Sequence, residues 1–353
     1  CGLLSTSRLH VIENENYGGS GGFSRGLLEL VEDGSFTHCL FMDDDASCDI
    51  ESIRRAMALF AYSDTDKLAI AGTLIQEADH CTVYESGAYF DGLCHRIHRE
   101  LDTRSPLHLL MAEREIIPAN YGGWWFFGFS LADVAHFPFP FFVRGDDVAF
   151  SLTNRLRIVT LNGIAAYGDT FENKHSAVTS YLDTRSHIVQ QIAVLGHGRL
   201  RVLKGFLRFF LISLLSYRYG SAAASCQALE DLLEGPTFFS GNMNMSARLP
   251  MLKEFSAKDR GERMQRAPRD TVVDERETDG IGRKSMRIFT LNGLLLPGFL
   301  IDESPVFQEP GFKATLKQVY RHRQIYYSCD ISSPGELVTL DRRKSLSLSA
   351  RFI

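Results

Sequence analysis

Three consecutive carboxylates close an apolar run at Leu40-Phe41-Met42-Asp43-Asp44-Asp45, an arrangement with few structural solutions. Successive apolar residues without alternation suit the end of a strand covered on both faces. The acids then lie at the C-terminal edge of a sheet, where open α/β folds bind their ligands. Asp43 and Asp45, separated by one residue, can turn toward one hard cation held through oxygen. The competing account is an Asp-rich turn in which Asp49 caps a helix carrying Ile50, Ile53, Met57 and Phe60 on its apolar positions. One acid explains that cap, and three more remain to be neutralised.

The flanking pattern extends the α/β reading. A helix is expected over 50–62 and a buried strand over 68–72, and strand, helix, strand in succession implies a mostly parallel sheet flanked by helices. The formal net charge of −5 offers no broad basic field for nucleic acid. Seven cysteines without CxxC spacing point to reduced thiols and a cytoplasmic location, not to a disulfide framework or a zinc site. The opening Cys1-Gly2-Leu3-Leu4-Ser5 carries neither an initiator Met nor a secretory signal, so the N-terminus reads as truncated.

Several further stretches carry chemistry. Asn16-Tyr17-Gly18-Gly19-Ser20-Gly21-Gly22 reads as a loop before a helix near Arg25, able either to present N–H groups to phosphates or to pack beneath an active site. From Cys94 to Glu115 little periodicity suggests a surface excursion. Trp124 and Trp125 stand together in an aromatic segment. If that segment is a strand the two rings face opposite ways, one in the core and one as a platform for a sugar, with core packing of both as the alternative. Asp146-Asp147 opens a helix reaching toward Leu156, one acid suiting a cap and the other a general base. Asp169 and His175, in a polar loop after a strand at 158–161, are candidates for a further metal ligand, and a long helix is expected from about Ser180.

In the second half, residues 205–234 contain an apolar run from Phe206 to Leu215, interrupted by Arg208 and ended by Arg218, too short to span a bilayer. The basic residues around it suit either a helix of a C-terminal helical domain or a peripheral contact on the inner face of a membrane. Residues 253–284 are charged and aperiodic and suggest a mobile loop, and a terminal hairpin is expected around Ser333-Pro334-Gly335.

Taken in order, Asn16 to Gly26, Phe41 to Asp45, Trp124-Trp125 and Asp146-Asp147 resemble the inverting family 2 glycosyltransferases of GT-A fold. Their nearest likeness is to the bacterial cell-wall galactofuranosyltransferases. Glu85-Ser86-Gly87 and the stretch from Tyr181 to Arg185 fit the same pattern, and the resemblance runs from Val11 to Gln191. It implies a GT-A catalytic domain over 1–195 and a mainly helical domain over 196–353, with the fold's first strand missing. It also implies that Asp43 and Asp45, with Asp169 or His175, hold Mn²⁺ or Mg²⁺ on a UDP-type sugar donor contacted by Asn16, Gly18, Gly19 and Asp44. Asp147 with Asp146 beside it would be the base, and Trp124 and Trp125 would line the site for a glycan or polyprenyl-linked glycolipid acceptor. Two positions depart from the family. Gly168 stands where a metal-binding His is usual, and Gly145 where Trp is common. A rhamnosyl or other hexosyl transferase is the rival reading within the class, and a non-catalytic carbohydrate- or metal-binding module the rival outside it.

Overall fold

The computed structural model describes residues 9–114, 117–169, 175–276, 278–309 and 316–352. The chain divides into two compact units. The first comprises Cys1–Thr170, Val189–His197 and Gly241–Met245, and the second Phe171–Ile188, Gly198–Ser240 and Ser246–Ile353.

The first unit contains helices α1 (Gly18–Asp33), α2 (Ile50–Tyr62), α3 (Pro106–Ala112) and α4 (Asp146–Asn154), and the last turn of α5 (Ala177–Ala193). Its strands are β1 (His38–Phe41), β2 (Leu68–Ala71), β3 (Thr73–Gln76), β4 (Asp79–Glu85), β5 (Ala88–Phe90), β6 (Cys94–Arg96), β7 (Phe127–Ser130), β8 (Arg157–Val159) and β9 (Ala165–Gly168). They form sheets ordered β1-β7-β2-β8 and β4-β3-β9 and a β5-β6 hairpin. The α/β class holds, but the described sheets are mixed where a mostly parallel arrangement was expected. β7 runs antiparallel to both β1 and β2, β4 is antiparallel to β3, and only the β2–β8 and β3–β9 pairs are parallel. The reason is β7, which enters the sheet from the aromatic segment in the opposite sense and separates β1 from β2.

Local signals account for most boundaries. The apolar run Leu68-Ala69-Ile70-Ala71 is buried throughout because β2 is central. Helix α2 starts after Asp49, as the periodicity demands, although the Asp49 side chain makes no capping hydrogen bond. The glycine-rich stretch is no loop: α1 begins at Gly18, and Asn16 Oδ1 accepts from the Gly18 N–H at 3.1 Å. The supposed surface excursion after Cys94 holds β6 and α3. Leu27, Phe41, Ala69, Phe127, Phe129, Phe150 and Ile158 form the core.

The second unit takes the rest of α5 with α6 (Arg199–Leu215), α7 (Tyr219–Glu234), α8 (Pro236–Ser240), α9 (Leu249–Asp259), α10 (Ile281–Phe289) and α11 (Arg342–Phe352). It is not purely helical, since β10 (Glu262–Met264), β11 (Val306–Gln308), β12 (Gln324–Tyr327) and β13 (Gly335–Thr339) form a sheet ordered β10-β13-β12-β11. The β12–β13 pair is the hairpin that Ser333-Pro334-Gly335 suggested. Within 253–284, the end of α9, β10 and the start of α10 occupy what charge alone suggested was a mobile loop. Phe206, Phe210 and Leu214 of α6 pack with Ala222 and Cys226 of α7 in one core, and Tyr217, Val306, Ile325 and Val338 form another. Among the described residues no helix is long and apolar enough to cross a membrane.

Candidate active site

The first unit draws both acidic motifs and a third carboxylate into one neighbourhood. Asp146 and Asp147 occupy the first turn of α4, and the residue before them, Gly145, has φ +89°, a left-handed conformation that costs glycine little and Trp much. Asp146 is buried and accepts a hydrogen bond from Ser20 Oγ at 2.8 Å. The glycine-rich start of α1 makes that approach possible. Gly18 has φ +68°, and a Cβ there would meet the Phe142 carbonyl oxygen at 2.1 Å, while the Ser20 N–H donates to that same carbonyl. Of its two sequence readings, packing beneath the acids is thus realised by direct contact. The Gln190 side chain fastens the other side by donating to the Gly145 carbonyl.

Asp147 is half-buried, and its Oδ1 accepts from the Val148 N–H at 2.8 Å. Burial raises the pKa of both acids. For Asp147 the charges of Asp146 and Asp43 add to the rise, while for Asp146 the Ser20 hydroxyl and nearby N–H groups oppose it, and Arg144 tempers both. The influence of Asp43 on Asp147 brings the two motifs, a hundred residues apart in sequence, within electrostatic reach of each other.

Glu85, at the end of β4, is the carboxylate that sequence reasoning did not select. It is 5% exposed, and burial together with the Asp147 charge pushes it up to about 8, against the opposing charge of Arg96. Arg96 itself lies over the Tyr84 ring at 4.2 Å. Glu85-Ser86-Gly87 was visible as a motif, but nothing local in it announces burial beside another acid.

Asp43 is half-buried, and Asp44 and Asp45 are exposed in the turn after β1. An isolated bridge between Ser47 and Tyr167, with N–H to carbonyl distances of 3.0 and 2.8 Å, holds this turn against β9. Asp169 follows β9 directly, on the side of the acidic turn, whereas His175 belongs to the second unit. Among the described residues no group of three or more His, Cys, Asp or Glu side chains is arranged to hold a metal ion. Two carboxylates with hard oxygen donors still fit a divalent cation of the Mg²⁺ or Mn²⁺ type, which commonly takes one or two protein carboxylates and completes its shell from substrate phosphates. Asn16 and Asp44 are exposed, with Gly18 and Gly19 in the first turn of α1.

The tryptophans depart from expectation. Both are buried, Trp124 at 4% and Trp125 at 7% exposure, so neither forms an open platform. The alternation argument fails because β7 begins only at Phe127 and both rings sit in the turn before it. Trp124 packs edge-on to Phe23 and Phe41 at 4.7 and 5.0 Å, and its Nε1 is buried without an acceptor among the described residues. Trp125 Nε1 donates to the Gly72 carbonyl at 2.8 Å. Two histidines of the stretch after Cys94 have local partners: His95 stacks on Tyr89 at 4.5 Å, and His108 Nδ1 accepts from the Asp102 N–H.

No protein-family model matches the chain. The chain is similar to the galactofuranosyltransferase GlfT2 of Mycolicibacterium smegmatis, 26% identical over 250 residues, which cover 65% of this chain and 38% of that protein. It is equally similar to the GlfT2 of Mycobacterium tuberculosis, 26% identical over 251 residues, covering 65% of this chain and 39% of the relative. The chain thus spans about two fifths of the length of the curated relatives it matches. This distant homology, with the clustered carboxylates of the first unit, supports a relationship to the glycosyltransferases.

Proposed function

We propose that the chain carries the catalytic part of a metal-dependent, inverting glycosyltransferase of GT-A type that moves a sugar from a nucleotide diphosphate donor to a hydroxyl of a glycan acceptor. Galactofuranose is the sugar suggested by the relatives' name. The observation that carries the reading is the convergence of Asp43, Glu85, Asp146 and Asp147, where burial and mutual repulsion raise the proton affinity of Asp147. A base poised nearer neutrality suits removal of a hydroxyl proton as bonding proceeds. As the acceptor oxygen attacks the anomeric carbon, Asp147 takes its proton, and the bond to the diphosphate breaks with its electron pair leaving on the nucleotide. Ser20 and the first turn of α4 hold Asp146 in place, which in turn sets the charge felt by Asp147. A divalent cation, Mn²⁺ or Mg²⁺, held by Asp43 and Asp45 would offset the charge on the departing diphosphate. Asp169 is the better placed of the two further ligand candidates, by its position after β9.

The test is Mn²⁺ titration with and without uridine diphosphate. With so few protein ligands, Mn²⁺ alone should bind weakly and the nucleotide should tighten it strongly. Loss of that nucleotide-dependent gain in Asp43→Ala and Asp45→Ala is expected, and an unchanged gain in both variants would refute the metal assignment.

A further inference from the structure

A cavity of about 500 Å³ opens in the first unit on one face of the β4-β3-β9 sheet, where the start of α2 and helix α3 form its sides. Ile75, Val83 and Ala165, one from each strand, give it an apolar floor, and Leu101 and Leu109 add to its walls. Along β3, Thr73 and Ile75 line the cavity while Leu74 between them does not, and Leu74 is the register partner of Glu85. Successive strand residues point to opposite faces and paired residues share one, so the cavity lies across the sheet from Glu85. It is therefore separate from the acids of the candidate active site. Its walls are braced. Ser52 Oγ donates to the Ala165 carbonyl and accepts from the Ala165 N–H at 3.0 and 3.1 Å, Arg55 Nη1 donates to the Gly163 carbonyl at 2.7 Å, and Asn162 Nδ2 donates to the Leu109 carbonyl at 2.9 Å. A preformed cavity of this volume is the size of a small-ligand site.

Polar groups ring the apolar floor. The Thr73 and Ser86 hydroxyls meet at 2.8 Å, and such a pair keeps one proton to donate and lone pairs to accept. His108 Nδ1 accepts from the Asp102 N–H at 2.9 Å, which leaves the proton of the neutral ring on Nε2 as a donor. Asp49 makes no capping bond to α2 but accepts from the Tyr167 hydroxyl at 3.5 Å, and the Tyr167 ring lies 4.9 Å from that of His80. Charge within this lining is balanced. Glu51 is bound by Arg54 at 2.6 Å and Asp102 by Arg104 at 2.9 Å, which leaves Asp49 against Arg55. A phosphate finds no cationic surplus there, and an ammonium group no acidic one.

We propose that this cavity is a subsite for a neutral sugar residue, distinct from the acid cluster. A sugar ring matches both parts of the lining. Its C–H faces meet Ile75, Val83 and the Tyr167 ring, and its hydroxyls meet His108, Asp49 and the Thr73–Ser86 pair. The lining alone carries the inference, and only the choice of galactofuranose among the probes rests on the transferase reading.

Amide hydrogen exchange of the whole chain tests it, without nucleotide so that no transfer occurs. Tetrasaccharides of galactofuranose, rhamnose and mannose serve as probes. At least one should slow exchange about threefold or more over residues 101–112 and 160–167, and added salt should leave this protection unchanged because the ligand is neutral. Thr73→Val and Asp49→Asn should each weaken the binding about three- to tenfold, as loss of one hydrogen bond does. Protection by none of the sugars overturns the proposal, and so does unchanged affinity in both variants. Protection confined to the segments around Glu85 and Asp146 would overturn it by assigning the sugar to the acid cluster, and protection by spermidine but by no sugar would do so in favour of a cationic ligand. Should Asp147→Asn transfer sugar normally, the assigned base is lost while protection over 101–112 and 160–167 persists, so the two readings fail separately.

Discussion

Buried acids in the two units meet opposite fates. In the second unit Asp231, fully buried, is gripped by Arg248 through Nε and Nη2 and receives the Tyr181 hydroxyl. Asp259 takes the Gly220 and Ser221 N–H groups and the Ser221 hydroxyl, which oppose the rise in pKa that burial still gives it. At Asp279 burial pulls upward, but the Arg287 and Arg283 guanidiniums outweigh it and hold the carboxyl below its ordinary value. In the first unit Glu85, Asp146 and Asp147 crowd together with their pKa values raised. A fold selected only for stability would pair such acids or replace them, since unpaired buried charge is among the costliest features a protein can keep. On the proposed function, the difference separates acids that hold the molecule together from acids kept for chemistry.

The sharpest way to break that comparison is Asp147→Asn. If Asp147 is the base, sugar transfer should fall by about 10²–10⁴-fold, while thermal stability stays level or rises because a destabilised charge is gone. Transfer at the wild-type rate with both substrates saturating would reduce Asp147 to a helix-end residue. The mirror experiment in the second unit is Asp231→Asn. It leaves Arg248 without its carboxylate and should cost about 2 to 3 kcal/mol in denaturant unfolding, allowing for the partial exposure of Arg248. Donor binding by the folded fraction should be unchanged.

Glu85→Gln sharpens the contrast through pH. Because the folded-state pKa of Glu85 is raised to about 8 from 4.5, the folded chain keeps a proton that the unfolded chain releases. Its contribution is therefore favourable at low pH and is lost as pH rises through that window. Melting temperature measured across it should decline less steeply in Glu85→Gln than in the wild type, and parallel curves would show that Glu85 is not enclosed beside Asp147. The smallest expected effect belongs to Ser20→Ala. Removing the hydroxyl that donates to Asp146 should cost about 1 kcal/mol in stability and raise the Asp146 pKa, and a neighbour that is less often charged repels Asp147 less, displacing the acid limb of the pH–rate profile downward. An unmoved limb would mean that Ser20 only fills space.

Segment identity was legible wherever short-range physics governs. Helix α2 occupies the range its apolar spacing demands, β2 sits where the unbroken apolar run lies, α4 opens on the acid pair, and the β12–β13 hairpin turns at Ser333-Pro334-Gly335. Periodicity and turn chemistry act within a few residues, so a sequence displays them directly. What surrounds a side chain was not legible. The glycine-rich segment proved helical because Phe142, more than a hundred residues on, supplies the carbonyl against which α1 begins. Both tryptophans proved buried because the sheet register starts β7 beyond them. Likewise the raised pKa of Glu85 depends on Asp147, which only the assembled first unit brings near. Sequence alone determined the segments with strong local periodicity or turn chemistry, such as α2, β2 and the β12–β13 hairpin, and where acids gather along the chain. The tertiary structure decided which acids share a low-dielectric space and which are paired with arginine, because desolvation and Coulomb interaction depend on distance in space and not on separation along the chain.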